Sequence, residues 1–122
     1  DIVYETDPRN DATTSDILGI IAKDEVFIAD NTQNHSDINI HASMYSIDEG
    51  FGAENYSTRP NSGTINLLGG MIQYQRQAVG KFSSTGTING FNKRYMYDKR
   101  LMKMAPPAYP GTGKFEIVSW FE

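Results

Sequence analysis

Apolar and polar residues alternate with a period of two along much of the chain, the pattern of half-buried strands. Ile38, Ile40, Ala42 and Met44 alternate with Asn39, His41 and Ser43, and Ile65, Leu67 and Gly69 alternate with Asn66 and Leu68 before Met71 and Ile72. Upstream, Ile17 to Ile28 reads as two short strands, Leu18, Ile20 and Ala22 on one face and then Val26 and Ile28, with Lys23, Asp24 and Glu25 at the corner between them. No window of about 12 residues keeps a 3.6-residue apolar period without a breaker, so helix is not expected to contribute much. Thr6 to Ser15 reads as a loop with one helical turn, and Asp30 to Asp37 is a polar loop of turn formers.

The strand patterns recur. Leu18 and Ile38 are 20 residues apart and Ile38 and Ile65 are 27 apart, a loose period in the range of coiled repeats. The spacing predicts an all-β domain, a short right-handed parallel β-helix in which Leu18, Ile38 and Ile65 form one aliphatic row and Ile20, Ile40 and Leu67 another. Residues 50–62 and 73–77 would be excursions from one corner. An antiparallel β-sandwich is the alternative arrangement of the same strands. The expected organisation is one domain over 1–122: an opening segment 1–16, coils over 17–92, and a basic, proline-rich, irregular C-terminal cap with a final strand over 93–122. In that cap Ala105 to Pro110 predicts an extended arm. Phe115, Ile117, Ser119 and Phe121 would share one strand face, with Val118 and Trp120 on the other. The start at Asp1 with Ile2, Val3 and Tyr4 is read as the C-terminal part of a longer chain.

Composition narrows the chemistry. The 122 residues contain no cysteine and two histidines, which removes disulfides, thiolate metal sites and cysteine nucleophiles. The longest apolar stretch, Ile17 to Ala22, falls far short of the ~20 residues that span a bilayer, so no membrane span is expected in this segment. The net charge of −4 hides an asymmetry: residues 1–58 hold 12 acids and 2 bases, residues 59–122 hold 9 bases and 3 acids. Charges of −10 and +6 favour end-to-end self-association, or an anionic partner on the basic half.

Candidate sites follow from residue chemistry. Phe91, Lys93, Arg94, Tyr95, Tyr97, Lys99, Arg100 and Lys103 interleave bases with aromatics, a composition that tracks an anionic backbone and stacks on bases. Lys93, Arg94, Tyr95, Tyr97, Lys99, Arg100 and Lys103 are therefore the candidate site for DNA or another anionic polymer, with packing as a cap the competing role. Asp30, Thr32, Asn34, Ser36 and Asp37 offer alternating oxygens to calcium, but lack the glycine and distal glutamate of an EF-hand. Their side chains are expected to bond their own backbone instead. Asp24–Glu25 and Asp48–Glu49 supply adjacent carboxylates of the kind a glycosidase needs, but neighbouring strand residues point to opposite faces. His35, in a loop, and His41, on the polar phase of its strand, are expected at the surface. No catalytic, metal or cofactor site is predicted.

The segments GIIAKDEVFIAD at 19–30, GFGAENY at 50–56, GGMIQYQRQAVGKF at 69–82 and YMYDKRLMKMAPPAYPGTGKFEIVSWFE at 95–122 add a resemblance. They resemble the C-terminal region of PilX-like bacterial envelope proteins allied to type IV pilus assembly. The match is most specific at Tyr97, Asp98, Arg100 and Leu101, at Pro106 and Pro107, and at Val118, Ser119 and Trp120. Lys99 stands where the family commonly has proline, and the pilin-like N-terminal helix is missing. The resemblance implies a non-enzymatic structural or adhesive β-solenoid ectodomain, displayed extracellularly on a cell surface or pilus and partnered by itself or by other envelope proteins. It carries over no catalytic residue. A carbohydrate-binding or carbohydrate-active β-helix protein is the competing class.

Overall fold

The computed structural model describes residues 1–106. Among them are seven strands: β1 (Gly19–Ala22), β2 (Val26–Ile28), β3 (Ile38–Ser46), β4 (Phe51–Ala53), β5 (Asn61–Gln73), β6 (Gly80–Ser83) and β7 (Gly86–Tyr97). They form a five-stranded sheet in the order β1-β3-β5-β7-β6 and a two-stranded sheet of β2 and β4. The β1–β3, β3–β5, β5–β7 and β2–β4 pairs are parallel, and β6–β7 is antiparallel.

This corrects the expected architecture. Over the described residues the fold is a strand-rich mixed parallel and antiparallel arrangement with no closed sheet, and it is not a β-helix solenoid. The antiparallel sandwich fails as well, since the other pairings are parallel. Aliphatic spacing gave no view of the hairpin. Ser83 and Gly86 bracket a two-residue turn, Ser83 Oγ accepts from the Thr85 N–H at 3.2 Å, and Gly86 takes a φ of 125° that a residue with Cβ rarely adopts. The chain therefore doubles back on itself between β6 and β7.

Ile38 does lie beside Ile65 and Ile40 beside Leu67. The row does not extend as expected, because Ile20 sits opposite Met44, four residues along β3 from Ile40. Backbone pairing decides this register: Ser43 N–H donates to the Leu18 carbonyl at 2.8 Å, and Ile2 bridges to Ile40 on the same edge of β3. The space that β1 would need lower on that edge is already taken.

The apolar residues of β3 and β5 face the second sheet. Ile38, Ile40, Ala42, Met44, Ile65 and Leu67 join Ile28, Phe51, Val79 and Phe91 in one buried cluster. Burial of such side chains contributes roughly 1.5–3 kcal/mol each. Close approach sets one position, for a Cβ at Gly69 would run into the backbone carbonyl of Ala42 on the neighbouring strand.

One end of this core closes on a charged group. Arg59, 1% exposed, donates through Nη1 to the Ile28 and Glu54 carbonyls at 3.1 Å, and through Nη2 to those of Ala29 at 3.3 Å and Asn34 at 2.8 Å. Its Nε donates to Ser62 Oγ at 3.3 Å, and its guanidinium lies 4.8 Å from the Phe91 ring centroid. A buried charge is tolerated when its donors are satisfied, and here the Ser62 hydroxyl and backbone oxygens from the end of β2, the segment after it and the segment after β4 satisfy them. Burial pulls the guanidinium below its ordinary pKa, an effect that Asp30, 3.9 Å away, partly offsets.

The opposite face of the sheet is covered by the segment 1–16, a strap. Asp1 Oδ1 accepts from the Asn39 N–H at 2.9 Å, Thr6 N–H donates to Asp16 Oδ2 at 2.9 Å, and Arg9 Nη1 reaches Met96 Sδ at 3.7 Å. After β7, Asp98 caps a 3-10 turn over Lys99–Met102 and holds Arg100 at 2.8 Å. Arg100 in turn donates to the Thr14 carbonyl at 2.8 Å and stacks 5.4 Å from the Tyr4 ring centroid. Strap and turn lock together across the sheet.

Candidate functional site

Three strands set side by side in parallel register turn sequence alternation into rows. On the face beneath the strap, Asn39, Asn66 and Arg94 form one row across β3, β5 and β7, and His41, Leu68 and Met96 form the next. These two rows line a cavity of about 170 Å³, which Arg9 of the strap completes. Its polar lining is two guanidiniums, two carboxamides and an imidazole, with Leu68 and Met96 as the apolar part.

A second cavity of about 320 Å³ is lined by Pro8, Arg9, Ala12, Leu68, Tyr97, Asp98, Lys99 and Arg100. The two meet at Arg9 and Leu68, so together they make one groove between strap and sheet. Its cations differ in availability. Arg100 is spent on Asp98, whose carboxylate raises its pKa, and Arg9 forms an exposed pair with Asp7 at 2.6 Å. That pair pulls the Asp7 carboxyl down to about 2. Arg94 is exposed and has no ion pair among the described residues, and Lys99 is exposed at the far end.

The basic and aromatic residues singled out in the sequence are divided by this geometry. Arg94 borders the smaller cavity, and Tyr97, Lys99 and Arg100 border the larger. Lys93 and Tyr95 fall on the other phase of β7, opposite Ile65 and Leu67, where Lys93 Nζ lies 6.0 Å from the Tyr95 ring centroid and Tyr95 packs edge-on against Phe51. Burial and the nearby Arg76 push the Lys93 ammonium down, while burial pushes the Tyr95 phenol up. Lys103 follows the 3-10 turn and is exposed. One linear cluster thus becomes two faces and a corner.

Arg9, Asn39, Asn66 and His41 were not singled out for binding. The amides carried a signal, since Asn39 and Asn66 hold equivalent places in the two alternating runs. Arg9 carried none, because its position depends on how the strap folds. His41, expected at the surface, is 7% exposed, and the strap is the reason. Tyr4 N–H donates to His41 Nδ1 at 3.1 Å, and the two rings lie 5.3 Å apart.

The remaining candidates resolve into structural roles. In the 30–37 loop, Asp30 bonds His35 Nε2 at 2.7 Å and accepts from Asn55 Nδ2 at 2.9 Å, Asp37 accepts from the Thr64 N–H at 2.8 Å, and Asn31 caps a 3-10 turn over Thr32–Asn34. Those oxygens tie the loop to its neighbours. Among the described residues no group of three or more His, Cys, Asp or Glu is placed to hold a metal ion, and no helix is long and apolar enough to cross a membrane. Pro107 to Pro110 and the expected strand Phe115 to Phe121, including Val118, Ser119 and Trp120, lie outside the described residues. No family model, curated protein or solved structure matches the chain.

Proposed function

We propose that this chain is a non-enzymatic adhesive module that grips the carboxylate-bearing residues of an acidic polysaccharide in the groove between strap and sheet. The observation that carries the reading is the row Asn39–Asn66–Arg94, two amides and an exposed guanidinium with no ion pair among the described residues, held at strand spacing on three parallel strands, with Arg9 facing them. A guanidinium presents a planar fork that matches a carboxylate, carboxamides bond sugar hydroxyls, and Leu68 with Met96 offers an apolar surface for a ring face. The setting we propose is a bacterial surface or pilus, on the strength of the segments that resemble envelope proteins.

Nucleic acid is the weaker reading for this groove. Tracking successive bases needs several aromatic faces beside the cations, yet of the two tyrosines of β7 only Tyr97 borders the groove, while Tyr95 lies with Lys93 on the side of the sheet opposite Arg94. Titration of the protein with galacturonate oligomers, followed by amide chemical shifts, tests the proposal. Shifts should concentrate at Asn39, Asn66 and Arg94, and Arg94→Ala should weaken binding at least tenfold. Equal response to a neutral glucan, or no response in the groove, defeats it.

A further inference from the structure

A backbone N–H can only donate, so the bond from Tyr4 to His41 fixes the state of the imidazole. The Nδ1 that accepts it carries a lone pair, which makes the ring neutral with its proton on Nε2. Protonation would set one N–H against another where the strap leaves the edge of β3. Charged groups approach the ring from several elements: Asp7 and Arg9 from the strap, Arg94 of β7 across the shared cavity, and Asp98 beyond β7. Strand β3 itself brings only the Asn39 amide to that cavity. Asp7 is already held by Arg9, and among the described residues no carboxylate hydrogen-bonds the His41 ring.

We propose that His41 is a proton-operated latch that holds the strap on the sheet when neutral, frees it when protonated, and so assembles or dismantles the groove of which Arg9 is part. The release half stands on the Tyr4–His41 geometry alone, whereas the loss of ligand rests on the groove's being a binding site. Burial keeps the latched imidazole below its ordinary value of 6.5. A released ring therefore takes up a proton that the latched ring refuses. The latch is at full strength above that ordinary value and weakens as pH falls through it, by up to about tenfold in the closing equilibrium per pH unit, until the latched ring itself protonates.

The test is amide exchange on the whole chain by NMR between about pH 7.5 and 5, read as protection factors, for wild type and His41→Gln. Glutamine keeps an acceptor and does not titrate. Protection of Tyr4 should fall with pH in wild type and stay level in the variant. Parallel behaviour of the two proteins overturns the latch. So does a long-range nitrogen spectrum of wild type with the proton on Nδ1 at neutral pH, a measurement that needs no variant to fold. Galacturonate titration at both pH values separates the two halves. Affinity that falls together with Tyr4 protection supports the coupling, and affinity unchanged while the strap opens overturns it. A strap that opens with no galacturonate binding at either pH supports the latch and rejects the groove as a carboxylate site.

Discussion

The two faces of the five-stranded sheet are covered by opposite means. The inner face meets apolar groups from the second sheet and closes on Arg59, whose donors all end on protein oxygens in a place water does not reach. The outer face is covered by a strap held to the sheet and to the 3-10 turn through hydrogen bonds, and the strap is shaped by its own exposed Arg9–Asp7 ion pair. Apolar burial is indifferent to salt and pH across the ordinary range, and exposed charge pairs are not. The inner face therefore sets whether the chain folds, and the outer face is where conditions can change its shape.

The largest expected effect probes the inner face. Arg59→Ala strips the donors from four carbonyls and opens a hole, which should cost about 4 kcal/mol in urea unfolding. A loss under about 1 kcal/mol would mean that water replaces the guanidinium and reaches the inner face. Next comes a deeply buried pair of the outer side, Asp98 with Arg100. Asp98→Ala leaves Arg100, 7% exposed, without its carboxylate and should cost about 3 kcal/mol, with strap amides near Thr14 losing protection at the same time. Ile65→Val, in the fully buried centre, should cost about 1 kcal/mol and leave strap exchange unchanged, which separates the two faces. Arg94→Ala should shift stability by less than about 0.5 kcal/mol while removing galacturonate binding.

Acid sharpens the contrast further. Asp7, held by Arg9, stays ionised until about pH 2, so its contribution is complete above the ordinary aspartate value of 3.8, declines as pH falls below it and is gone once pH has passed about 2. Strap opening between about pH 7 and 5 therefore belongs to His41, and adding salt should loosen the strap without lowering the protection of Ile65. Exchange measured in low and high salt at fixed pH checks this.

Much of the strand pattern was legible because alternation is a local property. Ile38 and Ile65, like Ile40 and Leu67, pair as the matched runs implied, since a row of aliphatics beneath a second sheet tolerates no register slip. The hairpin at Ser83–Gly86 escaped notice because its turn residues are small and ordinary, and its strand β6 is mostly exposed, so no buried period marks it. Arg59 looked like any surface base in a polar loop. Nothing in its neighbours announces that carbonyls from Ile28 to Asn34 will converge on it.

For the candidate site, local chemistry supplied the cations and the fold sorted them. Bases and aromatics in alternation read as one stripe, yet period-two geometry sends Lys93 and Tyr95 to one side of β7 and Arg94 to the other.

What the sequence by itself determined is the strand content, the apolar rows of β3 and β5, and the charge imbalance between halves, all of which follow from residue type and spacing along one segment. Only the tertiary structure decided that the sheet is mixed and open, that Arg59 is interior, and that segment 1–16 crosses the sheet to bury His41. These depend on contacts between residues far apart in the chain, where closing the loop costs entropy and only the summed partners at the other end determine which closure wins.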